Sequence, residues 1–172
     1  MDKKRFNFED IYGWIESIVF AVVFVVVLFT FIGRTSVVSG SSMNETLHNG
    51  DLLFISRLGD ESAAGNIVVI TKPYSGGEPL IKRVIATEGQ TVDIDFDRGI
   101  VYVNGEALEE DYVNTPTNRY FDMEFPVTVP QGCVFCMGDN RNNSYDSRAK
   151  EIGMIDTRYI LGRVVCRLKK GN

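Results

Sequence analysis

From Ile18 to Ile32 the only polar residue is Thr30. No other stretch of the chain limits its folding so strongly. With Trp14 and Ile15 on its N-terminal side, the 11–33 segment is long enough to cross a hydrocarbon core of about 30 Å as a helix. Tyr12 and Trp14 stand where an interfacial aromatic belt would lie. Glu16 is near enough to one end to reach the headgroups. Lys3, Lys4 and Arg5 precede the run, and only Arg34 comes closely after it. The excess of positive charge on the N-terminal side predicts a cytoplasmic N-terminus (1–10), a membrane anchor (11–33) and a domain outside the membrane (34–172). Two other readings of the run fit less well. A cleaved secretory signal would have a shorter apolar core and an Ala-x-Ala-like site after it, whereas this run leads into Phe31-Ile32-Gly33-Arg34-Thr35. A core helix of a soluble domain would have a polar face, and Val22 to Leu28 has none.

The chain after the anchor has the size of one ordinary domain, and its signals are those of strands. Asp51–Arg57, Asn66–Thr71 and Leu80–Ala86 are short apolar runs. The second ends at Pro73 and Gly76-Gly77, the third at Gly89. Thr91–Asp95 alternates with period two, Asp97-Arg98-Gly99 turns, and Ile100–Val103 returns. Asn104-Gly105 is a strong hairpin signal before Glu106–Leu108. Residues 109–126 are polar and irregular, a long surface loop or a poorly regular excursion. Val127–Val129, Cys133–Met137 and Tyr159–Leu168 read as strands, with a short helix or turn at Asp156–Arg158. The class is mainly β with one N-terminal transmembrane helix.

A net charge of -5 argues against nucleic acid as a partner, since binding phosphates needs a basic face. His48 is the single histidine, which excludes metal sites built on several imidazoles. It sits in a Gly- and Asn-containing turn and reads as a surface residue rather than a triad member. Three cysteines make no disulfide framework. Cys133 and Cys136 form a C-x-x-C, but on a strand residues three apart point to opposite faces. That suits neither chelation nor a redox pair. No metal and no cofactor are expected.

Two polar features resist this structural accounting. Lys82 lies between Leu80 and Val84 on one face of a core-like strand, with Arg83 on the other face beside Ile81 and Ile85. Burial lowers a lysine pKa, because the charged form loses hydration. A neutral amine is a competent general base for a serine hydroxyl. On this strand alone, a lysine snorkelling to water at the sheet edge is the preferred reading. The second feature is Gly138 to Arg148, rich in Asn, Ser, Asp and Arg, which reads either as a solvated loop of Asx turns or as a supply of orienting and charge-stabilising groups. Upstream, Ser39-Gly40-Ser41-Ser42-Met43 offers three candidate nucleophiles.

Taken together and in order, these segments resemble the motif boxes of bacterial type I signal peptidases (leader peptidases, Ser/Lys-dyad peptidase family S26). The resemblance is carried by Ser42-Met43 with Thr46-Leu47, by Gly65-Asn66-Ile67-Val68-Val69 and by Leu80-Ile81-Lys82-Arg83-Val84-Ile85. Val101-Tyr102-Val103-Asn104-Gly105 and Gly138-Asp139-Asn140-Arg141 with Ser144, Asp146, Ser147 and Arg148 complete it. It implies a signal-peptidase/LexA-like β fold and a membrane-bound serine endopeptidase that removes signal peptides from exported preproteins. By position Ser42 would be the nucleophile and Lys82 the general base. Ser144 would orient the lysine amine, Asp146 and Arg148 would form a supporting ion pair, and Asp139 would be structural. The backbone N–H of Ser42 would serve the oxyanion, and Gly40 stands where some members carry a second, hydroxyl donor. The implied partners are the lipid membrane and signal peptides with small residues before the cut. They would be bound as an added strand whose alternate residues face the enzyme. Departures from the family pattern are Glu45 at a usual Pro, Asn66 at a usual Asp, and Ala86-Thr87-Glu88-Gly89-Gln90 in place of a Pro-containing turn. Two alternatives stand beside this reading. One is an inactive membrane-anchored β-domain that binds exported peptides or a partner. The other is a repressor-type Ser/Lys protease, which would carry a DNA-binding domain where this chain has its apolar run.

Overall fold

The computed structural model describes residues 8–31, 33–71 and 78–171. Lys3, Lys4 and Arg5, and the turn at Pro73 and Gly76-Gly77, lie outside the described residues. Helix α1 runs over Phe8–Phe31, 24 residues. It begins and ends slightly before the 11–33 expected from the apolar run. Every side chain described on it, 11–27, is exposed, including Trp14 at 73% and Phe20 at 75%. Among the described residues no helix is long and apolar enough to cross a membrane.

The remainder is β, as expected. Strands β1 (Arg34–Val37), β2 (Leu52–Ser56), β3 (Ile67–Ile70), β4 (Leu80–Thr87), β9 (Cys133–Met137), β10 (Ile155–Asp156) and β11 (Ile160–Lys169) form a seven-stranded sheet ordered β1-β2-β11-β3-β4-β9-β10. Strands β5 (Thr91–Asp95), β6 (Ile100–Val103), β7 (Glu106–Ala107) and β8 (Val127–Thr128) form a second sheet ordered β7-β6-β5-β8. The Asn104-Gly105 hairpin is made as its sequence demands. Both residues have positive φ, 54° and 83°, the geometry of a type I′ turn that matches strand twist. Strands β1 and β10 were not expected from the sequence. The first is exposed and polar and the second is only two residues long, so neither carries a hydrophobic period.

Three apolar clusters hold the sheets. One gathers Val68, Ile70, Val84, Val134, Cys136 and Ile155. Another joins Ile85, Ala86, Phe135 and Met137 of the large sheet to Val92, Ile94 and Val101 of the small one. The third packs Met43 and Leu47 against Leu53, Ile55, Val69 and Ile81. Alternation along β4 sends Leu80 and Val84 into the first cluster and Ile81 into the third. Cys133 borders the second cluster while Cys136 lies in the first, so the C-x-x-C thiols do face apart. His48 is exposed, as a surface turn residue should be.

Candidate active site

The serine turn is fixed by its own apolar residues. Met43 and Leu47 are 1% and 5% exposed, and burial of side chains this size stabilises by about 1.5–3 kcal/mol each. The N–H groups of Thr46 and Leu47 donate to the Met43 carbonyl at 2.8 and 2.9 Å, and that of Asn44 donates to Ser41 at 3.1 Å. The Asn44–Glu45 peptide is cis, and Glu45 is exposed. This turn delivers Ser42 to the end of Lys82. The amine nitrogen lies 2.7 Å from Ser42 Oγ. Lys82 is 5% exposed. It does not snorkel: the strand alone favoured that reading, and the structure overturns it. Desolvation by burial is the main cause holding its pKa below the ordinary lysine value. The nearby charge of Arg148 lowers it further, while Asp146, Cys136 and Asp139 oppose the shift. Ser39 and Ser41 make no such contact with the amine.

The 138–148 loop is a buried scaffold rather than a solvated one. Asp139, Arg141, Ser144, Asp146, Ser147 and Arg148 are all at most 2% exposed. Asp146 and Arg148 form the expected ion pair, bidentate, at 2.8 Å through Nε and 2.9 Å through Nη2. Asp146 also accepts the Gly138 N–H at 3.0 Å. Arg148 reaches the carbonyls of Arg119 at 2.8 Å and Arg141 at 2.6 Å. Asp139 takes the fork of Arg83, at 2.8 and 2.7 Å, and the hydroxyl of Thr46 at 2.6 Å. It therefore ties the strand carrying Lys82 to the turn carrying Ser42. The expected bond from Ser144 to the lysine is not formed. Ser144 is buried, but its Oγ has no hydrogen-bond partner, and the lysine amine donates to Ser42. Ser144 instead packs at Gly138. A Cβ built on Gly138 would overlap the Ser144 side chain and come within 2.5 Å of the Ser42 carbonyl oxygen, so only glycine fits.

Several contacts at the site had no signal in periodicity or composition. The Asn140 N–H donates to the Ser42 carbonyl at 3.0 Å. Asn140 and Asn143 side chains hold the Ser41 carbonyl and hydroxyl at 3.1 and 2.9 Å. The Ser42 N–H has no acceptor among the described residues, which leaves it free to donate to a bound carbonyl. Arg141 pairs with both carboxylate oxygens of Glu110, and the Arg83 guanidinium lies 3.9 Å over the Tyr112 ring. Residues Glu110 to Thr117 are thus not a bare surface loop. Thr117 is fully buried and accepts from Arg141 at 3.0 Å. Burial is the main cause lifting the Tyr112 phenol to about 12, so it remains a donor, here to Glu110 at 3.1 Å. Among the described residues no group of His, Cys, Asp and Glu could hold a metal ion.

A buried amine within reach of a serine hydroxyl, beside a free backbone N–H, is equipped for acyl transfer with no group other than the chain's own. Comparison with known proteins points the same way. The family described as "Signal peptidase, peptidase S26" matches residues 11–169. Signal peptidase I of Bacillus licheniformis is 34% identical over 164 residues, 90% of this chain and 86% of that protein. The probable signal peptidase I-1 of Synechocystis sp. is 35% identical over 163 residues, 89% of this chain and 80% of that protein. A crystal structure of a signal peptidase I from Enterococcus faecalis V583 shares 30% identity at a TM-score of 0.48, covering 59% of this chain and 94% of that one. The family match runs from within α1 through the serine turn, the lysine strand and the 138–148 loop, and the chain belongs to the signal peptidases of peptidase family S26.

Proposed function

We propose that this chain is a serine endopeptidase that cleaves N-terminal signal peptides from exported preproteins, with Ser42 as nucleophile and Lys82 as general base. The observation that carries the reading is the 2.7 Å approach of a buried lysine amine to a serine hydroxyl. In its neutral form Lys82 takes the Ser42 proton as Oγ attacks the scissile carbonyl. The Ser42 N–H donates to the oxyanion. The ammonium then gives its proton to the departing amine, leaving an acyl group on Ser42. A water, deprotonated by the same amine, releases the signal peptide and restores the serine. Asp146, Arg148 and Asp139 act by holding the loop and the strand, and Ser144 packs behind the nucleophile.

The substrate is an extended peptide with small residues at the first and third positions before the cut, added to the sheet as a strand. The apolar run 11–33 anchors the chain in the lipid bilayer with its N-terminus cytoplasmic and residues 34–172 outside. What supports this is the sequence, with Thr30 the one polar residue from Ile18 to Ile32 and Lys3, Lys4 and Arg5 before the run, and the exposure of the apolar side chains described on α1. The anchor holds the dyad near the surface where a cleavage site emerges. Nothing in the geometry favours the inactive peptide-binding alternative, since no reacting group is missing. The test is cleavage of a preprotein in detergent by the purified chain and by Ser42→Ala, with the product's new N-terminus sequenced. Cleavage after a small residue by the wild type alone is expected. Undiminished cleavage by the variant would refute the assignment.

A further inference from the structure

Glu110 and Tyr112, two residues apart, hold Arg141 and Arg83, and the catalytic steps give them no part. Arg83 comes directly after Lys82 on β4. Asp139 grips its guanidinium on one side, and the Tyr112 ring covers it at 3.9 Å. Arg141 is next to Asn140, whose N–H holds the Ser42 carbonyl. Arg141 is fully buried. Its Nε donates to the Gly138 carbonyl at 3.0 Å, and its remaining nitrogens meet both oxygens of Glu110 and the Thr117 hydroxyl. The Tyr112 hydroxyl closes the link by donating to Glu110. The peptide groups at Gly138 are therefore clamped on both sides: its N–H by Asp146 and its carbonyl by Arg141. Gly138 is the surface on which the Ser42 carbonyl rests.

We propose that Glu110 and Tyr112 are positioning residues for the cleavage reaction, holding Arg141 and Arg83 so that Gly138 and β4 keep Ser42 and Lys82 at reacting distance. The inference rests on the Ser42–Lys82 reading. Without its carboxylate, the buried Arg141 must find other acceptors, and it draws Gly138 with it. A displacement of about 1 Å at a reacting pair can lower a rate by roughly 100-fold.

The test uses the full chain in detergent, with enzyme in excess over a preprotein. The plateau single-turnover rate then reports chemistry per competent molecule, and the half-saturating enzyme concentration reports binding. Glu110→Gln is expected to lower the plateau roughly 10- to 100-fold, with half-saturation unchanged. Tyr112→Leu, which removes the ring from Arg83, should lower it by about 10-fold. Tyr112→Phe, which keeps the ring, should stay within about threefold of wild type. A merely structural role would reduce the number of folded molecules and leave the plateau intact. Plateaus within about twofold of wild type for both Glu110→Gln and Tyr112→Leu, with Ser42→Ala inactive, would overturn the proposal. So would losses confined to half-saturation, the signature of substrate contacts or of fewer folded molecules. If Glu110→Gln does not fold, the Tyr112→Leu and Tyr112→Phe pair decides. Normal cleavage by Ser42→Ala would instead overturn the dyad on which the proposal rests.

Discussion

Removing the charge of Asp146 and removing that of Arg148 should move the pH dependence of cleavage in opposite directions. Both side chains are fully buried. Asp146 accepts from Gly138, from the Arg148 backbone and twice from the Arg148 guanidinium. Asp146→Asn leaves a desolvated guanidinium without its counter-ion, and breaking such a pair from one side costs about 3–5 kcal/mol. That is a large part of a typical stability of about 5–15 kcal/mol, and chemical denaturation of the full chain in detergent would register it. The double variant Asp146→Asn, Arg148→Met removes the lone charge and should recover part of the loss. It should not recover all, because the carbonyls of Arg119 and Arg141 lose their donor. The catalytic signature is separate from stability. Asp146 raises the Lys82 pKa and Arg148 lowers it. The neutral amine is the active form, so activity rises with pH through that pKa. Asp146→Asn should shift the acid limb of the kcat/KM profile to lower pH, and Arg148→Met should shift it to higher pH. Profiles that move together, or not at all, would refute the view that the limb belongs to Lys82 in this electrostatic setting.

Gly138→Ala should lower cleavage by about 100-fold or more, because the new methyl meets Ser144 and the Ser42 carbonyl. The accompanying overpacking should cost about 1–3 kcal/mol, measurable by urea unfolding. Lys82→Met should abolish cleavage yet raise the unfolding temperature. Burial depresses the Lys82 pKa in the folded state, so wild-type stability rises with pH between the folded value and about 10.4. The advantage of the variant should therefore shrink over that window. Asp51 is held down to about 2, chiefly by the His48 N–H, with Gly171 and Arg167 also bonding it. Its contribution is present above the ordinary carboxylate pKa of about 3.9 and lost as pH falls through about 2. The stability gap between wild type and Asp51→Asn should accordingly be constant above about pH 5 and close toward pH 2. His48→Ala should leave kcat/KM unchanged, which a steady-state assay would establish, because the imidazole is exposed in a turn.

The strands that bury one or both faces are legible in the sequence. Cys133–Met137 and Thr91–Asp95 have the bounds their patterns suggest, and the Asn104-Gly105 turn is legible because few residues tolerate its dihedrals. Strand β1 is not, since its exposed polar residues carry no alternating apolar signal. The polar interior of the site is the harder part. Gly138 to Arg148 has the composition of a solvated loop, yet buried charges in it are matched by partners far away in sequence, as Arg141 is by Glu110 and Asp139 by Arg83 and Thr46. Such long-range pairing leaves no local period to read. Only the ordered resemblance of whole segments singles out Ser42 and Lys82. That resemblance also suggests a Ser144–Lys82 bond, where the structure turns the amine to Ser42 instead. Lys82 shows how context reverses a local reading. Among aliphatic neighbours on one strand, a lysine is best placed at an edge, but here the strand is interior to the sheet, between β3 and β9.

In the proposed reaction Ser42 carries the acyl group. Quenching the wild-type chain in acid during turnover of a preprotein or an activated peptide ester, and mapping the adduct by mass spectrometry of proteolytic fragments, locates that group. The signal-peptide acyl group is expected on Ser42, absent from Ser42→Ala and from Lys82→Met. An adduct on Ser39, Ser41 or Ser144, or an adduct that persists in Lys82→Met, would contradict the proposed reaction.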